Sequence, residues 1–294
     1  MKFKFPNDAL IALSKELQPV EIESLDTSHS GRVLASAVIA DRDSPAANVS
    51  AMDGYAIRMA QLSDKAVLPI MGESAAGSPA PEMPSHGVLR IFTGAIVPEG
   101  FDAVVKREDT EELGSEIRLK LDSVEISKGL HIRRAGENAS KGSTVLNPGI
   151  EINGAHKATM ANFGCSTIDI YRPVRVTILT TGNEVGTFQK EDPMPWQLRN
   201  SNRESIATLL AAPNWISIVS VEHCIDDQKQ LHDTLADRLN TSDAILMTGG
   251  VSMGDYDYVP DVIKDLGGNV VFHGLPIRPG KPVLGAATDN GKLL

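Results

Sequence analysis

Cysteine is scarce in this chain. Cys165 and Cys224 are too few and too far apart for a disulfide framework or a CxxC-type zinc site, and they read as plain buried or surface thiols. Long apolar runs are missing as well. Nothing approaches the roughly 20 residues that cross a bilayer, and Met1-Lys2-Phe3-Lys4-Phe5 leads into a polar segment, not a signal-peptide core. A soluble, cytoplasmic protein with no membrane contact is expected. Positive charge is also short: 28 Lys and Arg against 38 Asp and Glu give a net charge of -10, which argues against nonspecific binding to nucleic acid. An anionic ligand would need a local cationic pocket. No internal repeat or low-complexity stretch is present.

What is present is length and punctuation. A chain of 294 residues exceeds one hydrophobic core, so two or more modules are expected. Asn7 or Asp8 can cap a helix carrying Leu10, Leu13 and Leu17 and running to about Gln18. Residues 41–138 are broken by Pro45, Gly54, Gly72, Pro79, Pro84, Gly94, Pro98 and Gly129, with strand-like Val104-Val105 and Ile117–Leu119. They read as an inserted β module. Residues 1–40 and 139–172 form a helical linker module, in which a helix at Gly154–Phe163 is expected to partner the N-terminal helix. In residues 173–294 strands alternate with helices: a strand Val174–Leu179, a helix from Asn202, a strand Ile216–Val221, a helix Gln228–Leu239 and a strand Ala244–Met247. That alternation predicts a parallel sheet, giving a multidomain α/β fold class. Ser201-Asn202-Arg203-Glu204 fits a capping box. At the end, Val283–Leu294 reads as a strand, a turn at Asp289-Asn290-Gly291 and the beginning of another strand.

In open α/β sheets, ligands bind beyond the carboxyl ends of the strands, where loops present backbone amides to anions. Three loops qualify: Thr180–Glu184, Thr248–Gly254 and Arg278–Pro282. The glycines let the backbone approach a phosphate, Thr248 and Ser252 supply donors, and Arg278 and Lys281 supply charge. Glu184, Asp226, Asp227, Asp255 and Asp257 offer hard oxygen ligands that suit Mg²⁺, with Glu184 and Asp257 the better candidates because Asp227 stands where a helix cap belongs. In the β module, Asp53 sits in a small, Gly-containing loop, and Thr93 adds a hydroxyl near a turn. Arg133-Arg134 is either a basic contact or solvated surface charge.

These segments resemble the molybdopterin molybdenumtransferase family, together with the C-terminal domain of gephyrin. The resemblance rests on Ser50–Ala56, Thr93-Gly94-Ala95 with Pro98, Arg133–Glu137, Thr181–Glu184, Asn200-Ser201-Asn202, Gly249–Ser252 with Asp257-Tyr258, and Pro279–Pro282, in family order. It implies a transferase that inserts molybdate into adenylylated molybdopterin (molybdopterin-AMP) and releases AMP with the help of Mg²⁺. It also implies a homodimer whose site lies between the α/β module of one subunit and the inserted module of the other, and contact with the molybdopterin adenylyltransferase. Carried over by motif, Asp53, Thr93, Glu184, Asp226 and Asp257 are catalytic. Thr181, Gly182, Ser201, Gly249, Gly250, Ser252, Arg278 and Lys281 hold the ligand, and Glu184 and Asp257 hold metal. The family continues beyond a position like Leu294 into a Leu-Pro-Gly-Asn-Pro segment and a small β module, neither of which this sequence includes.

Three positions depart from the family pattern. Asn138 and Asn183 stand where Asp is common, which keeps the shape and loses the charge, and Arg278 stands where Lys is frequent, favouring bidentate contact. The two asparagines support an alternative reading, a catalytically impaired molybdopterin-binding or scaffolding protein. A third reading, adenylylation of molybdopterin, is opposed by the inserted β module.

Overall fold

The computed structural model describes residues 3–62, 67–120, 126–186, 192–251 and 257–294. The chain divides into two compact units. One consists of Ala37–Asn147 and Thr159–Cys165, the other of Met1–Ser36, Pro148–Ala158 and Ser166–Leu294. The architecture is the expected multidomain α/β class. Among the described residues no helix is long and apolar enough to cross a membrane.

In the first unit, six strands form one sheet: β1 (Gly54–Ile57), β2 (Val67–Ser74), β3 (Val88–Ile91), β4 (Ala103–Lys106), β5 (Thr110–Glu112) and β6 (Glu116–Leu119), in the order β4-β1-β3-β2-β6-β5. All neighbours are antiparallel except β2 and β3. Successive side chains of a strand point to opposite faces, and here both faces are covered. Tyr55, Ile57, Val88, Ala103, Val105 and Ile117 fill one core, while Ala56, Leu89, Ile91, Val104 and Phe101 fill the other. β1 is therefore buried along its whole length, and each large apolar side chain withdrawn from water contributes about 1.5–3 kcal/mol.

The second unit is built on three parallel strands. β7 (Val174–Thr181) lies between β8 (Ile216–Cys224) and β9 (Ala244–Thr248), and the register sets Thr181 level with Cys224 and Thr180 level with Thr248. The carboxyl ends of all three strands thus open on one side. An antiparallel pair, β10 (Gly268–His273) and β11 (Leu284–Thr288), lies beyond β9. Leu293 bridges the two groups, parallel to Ala244 and antiparallel to Ala287. The helices are α1 (Pro6–Ser14), α2 (Gly154–Asn162), α3 (Ser201–Ala211), α4 (Gln228–Thr241) and α5 (Val259–Asp265). Leu231 and Leu235 of α4 and Val259, Val262 and Ile263 of α5 join Leu179, Cys224 and Ile245 in one core. Cys165 and Cys224 are not joined in a disulfide.

Four sequence expectations need correction. Neither Asn7 nor Asp8 caps α1, which starts at Pro6 behind Phe5 with no side-chain cap. Proline fits the first helical position because the amide it lacks would be unsatisfied there anyway. The helix also stops short of Gln18, whose amide is taken by the carbonyl of Gly291 at 3.1 Å. The buried side chains of α1, Ala9 and Leu13, pack against Phe272, Leu275 and Ala287 of the β10–β11 region; α2 was the expected partner. The fourth correction concerns the cap of α3, described below.

Candidate functional site at the carboxyl end of the parallel sheet

Each strand of the parallel sheet hands its chain to a loop on the same side. After β7, Gly182 takes φ +127°, and a side chain there would collide with the Glu184 carboxylate, which folds back over it. Asn183 and Asp226, at the ends of β7 and β8, bond reciprocally: the Asn183 amide donates to Asp226 Oδ2 at 3.0 Å, and the Asp226 amide donates to Asn183 Oδ1 at 3.1 Å. An asparagine oxygen accepts here as an aspartate would, so the departure at Asn183 leaves the local geometry intact. Asp227 caps α4 by accepting the Gln230 amide at 2.7 Å, the ordinary role read for it.

After β9, Gly249 and Gly250 both have positive φ, +100° and +65°. A Cβ on Gly249 would lie 2.4 Å from Thr181 Oγ1, and one on Gly250 would lie 2.9 Å from Val259 Cγ2, so only glycine fits this turn. The Thr181 hydroxyl is buried under the turn and has no hydrogen-bond partner among the described residues. Ser252 and Asp255 lie outside the described residues. Asp257 stands just ahead of α5.

The third loop belongs to the same end. The ring of His273 bonds the carbonyl of Val251 at 2.9 Å, tying the end of β10 to the glycine turn. A cavity of about 560 Å³ runs between Thr248–Val251 on one wall and Pro282–Gly285 on the other. The carbonyl of Lys281 accepts the amides of Leu275 and Val283, both at 3.0 Å, and the loop turns through a cis Arg278–Pro279 bond and Gly280. Arg278 and Lys281 are exposed, and among the described residues neither makes an ion pair. The sequence gives no sign of the His273 contact, because no spacing rule links a strand-end histidine to a carbonyl 22 residues earlier.

Asn200, not Ser201, caps α3: its Oδ1 accepts the Arg203 amide at 3.1 Å, and Ser201 is an exposed first helical residue. The reason is the second bond Asn200 makes. Its Nδ2 donates to Thr180 Oγ1 at 2.8 Å, while Asn202 Nδ2 donates to Thr248 Oγ1 at 2.9 Å. A serine hydroxyl is too short to cap the helix and reach the sheet at once. The start of α3 is thereby fastened to β7 and β9. Asn200→Ala is expected to lower stability by about 1–2 kcal/mol, a cap plus an orphaned partner, measured by urea denaturation. A shift below about 0.3 kcal/mol would show that the cap is dispensable.

In the first unit, Asp53 sits between Val49-Ser50 and β1. Its Oδ1 accepts both the amide and the hydroxyl of Thr93, each at 2.7 Å. Those two bonds, with Arg107 nearby, hold the Asp53 carboxyl below its ordinary range despite the opposing pull of desolvation. Asp53 and Thr93, 40 residues apart in sequence, are thus one structural group. The backbone supports them through Gly94 N to Ser50 O at 2.8 Å and Arg107 N to Asp53 O at 3.1 Å. Tyr55 is a core residue whose hydroxyl reaches out to Glu112 at 2.6 Å, and the carboxylate also meets Arg90 at 3.0 Å and Arg107 at 2.9 Å. Arg133 is engaged internally, by Glu137 at 3.3 Å and by Asn138 Oδ1 at 2.6 Å. The amide at Asn138 therefore still serves as an acceptor.

Residues 6–164 match the MoeA N-terminal region (domain I and II), and residues 177–292 match a probable molybdopterin binding domain. The chain is 30% identical over 280 residues to the molybdopterin molybdenumtransferase of Haemophilus influenzae, covering 92% of this chain and 67% of that protein. It is 32% identical over 277 residues to the Nostoc enzyme of the same name, covering 90% and 61%, and 32% identical over 301 residues to Dictyostelium discoideum gephyrin, covering 92% and 40%. The chain thus spans about two thirds or less of these relatives' lengths. A crystal structure of a molybdopterin biosynthesis MoeA protein from Pyrococcus horikoshii superposes with a TM-score of 0.72 at 26% identity, over 99% of this chain and 73% of that one. The chain belongs to the MoeA-type molybdopterin molybdenumtransferase family, enzymes of molybdenum-cofactor biosynthesis.

Proposed function

We propose that this protein inserts molybdate into adenylylated molybdopterin with release of AMP. The observation that carries the reading is that the loops beyond the strand ends, joined by the His273–Val251 and Asn183–Asp226 bonds, carry both exposed cations with no acid partner among the described residues, Arg278 and Lys281, and the carboxylates Glu184 and Asp226. A phosphate-bearing ligand and an oxyanion need both: cations to bind the negative oxygens, and carboxylates to hold a divalent ion or polarise water.

Within this reading, the Gly249–Gly250 turn presents backbone amides to phosphate, and Thr181, Gly182, Ser201 and Ser252 are assigned to the same ligand. Arg278 and Lys281 bind the molybdate or phosphate oxygens. The donor set fits Mg²⁺, which takes one or two carboxylates and completes its shell with water and phosphate oxygens. Glu184 and Asp257 would hold it, and the ion would neutralise charge developing on the departing AMP. Asp226, oriented by Asn183, backs that pair. Asp53, fixed as an anion by Thr93, is assigned a catalytic role in the same reaction. Homodimerisation, a cytoplasmic location and contact with the adenylyltransferase that supplies the substrate belong to the same proposal.

The test is AMP release from adenylylated molybdopterin, with and without molybdate and Mg²⁺. Glu184→Gln keeps the shape and removes the charge. It is expected to lower molybdate-dependent release by about a hundredfold with circular dichroism unchanged, the scale on which catalytic charge groups act. Release at the wild-type rate would remove Glu184 from the mechanism. Binding of molybdopterin by wild type with no release would favour the ligand-binding or scaffolding alternative, for which the family's gephyrin member and the asparagines at 138 and 183 are the motivation.

A further inference from the structure

Aromatic residues make up only 4% of the chain, and it has two tryptophans, yet Trp196 is 70% exposed. It stands in a closed turn: the Gln197 amide donates to Met194 O at 2.8 Å, and Gln197 Oε1 accepts the Met194 amide at 2.9 Å. Arg199 braces the turn against Asp192 at 3.3 Å. The C-terminal side of this turn is fastened to the site. Leu198 N donates to Glu184 O at 2.7 Å, and Val185-Gly186 pairs in parallel with Leu198-Arg199. Asn200 then bonds Thr180 and caps α3. The turn is thus part of the rim that carries Gly182 and Glu184.

We propose that Trp196, flanked by exposed Met194 and Leu198, is the stacking platform for the flat pterin ring of the ligand; this rests on the molybdopterin reading above. A pterin has polar edges and bare aromatic faces, and the faces need a planar apolar partner. The described residues of the three site loops, 182–186, 249–251 and 274–283, include no aromatic ring, and Tyr258, beside Asp257, packs against the core. Trp196 is the exposed ring attached to those loops. Three side chains are too few to supply the ~800 Å² per partner that a stable protein interface buries, whereas they match one face of a bicyclic ring.

The experiment is calorimetric titration of wild type, Trp196→Phe and Trp196→Ala with molybdopterin and, separately, with AMP. Because the ring is exposed, neither variant should disturb folding, which circular dichroism checks. W196A is expected to bind molybdopterin about tenfold or more weakly and W196F within about threefold of wild type, with AMP affinity unchanged, as base–aromatic stacking predicts. Indole emission should be quenched by molybdopterin in wild type, with that quenching lost in W196F. Equal molybdopterin binding by W196A and wild type overturns the platform while leaving the functional reading standing. Weakened AMP binding with unchanged molybdopterin binding assigns the ring to adenine and also overturns it. Absence of molybdopterin binding in wild type overturns both readings. Conversion of a dimer to a monomer in W196A during ultracentrifugation, with ligand affinity unchanged, makes the turn a contact between copies and overturns the platform.

Discussion

Gly54→Ala is expected to lower the stability of the sheet-bearing unit by more than about 3 kcal/mol, beyond the usual range for overpacking. A Cβ at this position would lie 1.9 Å from the carbonyl oxygen of Val105 and 3.0 Å from the Cα of Lys106. Both obstacles are backbone, so no rotamer change relieves them. β1 cannot slide away either, because Gly54 is paired with Ile91 on one side and Lys106 on the other. Asp53, which precedes it, would lose its register with Thr93 at the same time. Urea denaturation followed by circular dichroism measures the effect, and a midpoint within error of wild type would show that the strand can yield.

Asp243→Ala should cost about 3 kcal/mol at neutral pH, at the lower end for breaking a buried ion pair by removing one partner. Asp243 is 14% exposed and its partner Arg172 16%. Arg172 grips the carboxylate through Nη1 at 2.6 Å and Nη2 at 2.9 Å, and Arg175 adds its amide at 2.8 Å and a guanidinium bond at 3.1 Å. Burial alone would push the Asp243 carboxyl up, but the Arg172 and Arg175 bonds outweigh it and hold the group far below the ordinary range. The bonds from Arg172 to Asp243, with a further one to Glu21, raise Arg172 in turn against the opposing pull of burial. The folded pKa lies below the unfolded value of roughly 3.9, so this stabilisation is complete above about pH 5 and is lost as pH falls further. The gap between wild type and Asp243→Ala should therefore be constant from pH 5 to 7 and shrink toward pH 3, which urea midpoints at each pH would show. A gap that stays constant through the acid range would mean that packing, and not charge, is what the substitution removes.

The parts of the fold that local pattern controls were legible in the sequence. β7, β8 and β9 fall where apolar runs predicted strands, α3 and α4 where periodicity predicted helices, and Asp227 caps α4 as its place before Gln228 suggested. The parts set by distant partners were not. Asp243 meets Arg172 across 71 residues, and Asn200 outcompetes Ser201 as a cap because of Thr180, 20 residues away. Phe5 opens α1 with no capping side chain, so a search for capping residues displaced the start inward. In the candidate site, residue types and order were readable as motifs. The locks that orient them, Asp53 with Thr93, Asn183 with Asp226 and His273 with Val251, required the structure.

The turn at Gly249–Gly250 has a thermodynamic meaning beyond its shape. Its backbone rests on the Thr181 hydroxyl and the Val259 methyl with no room for a single added carbon. Under the function proposed above, a turn seated this tightly would not have to be ordered when an anion binds, so little of the binding free energy would be consumed in immobilising it. Affinity for phosphate at this turn should then depend weakly on temperature-driven loosening of the loop and strongly on ionic strength, the mark of a rigid receptor read mainly by charge.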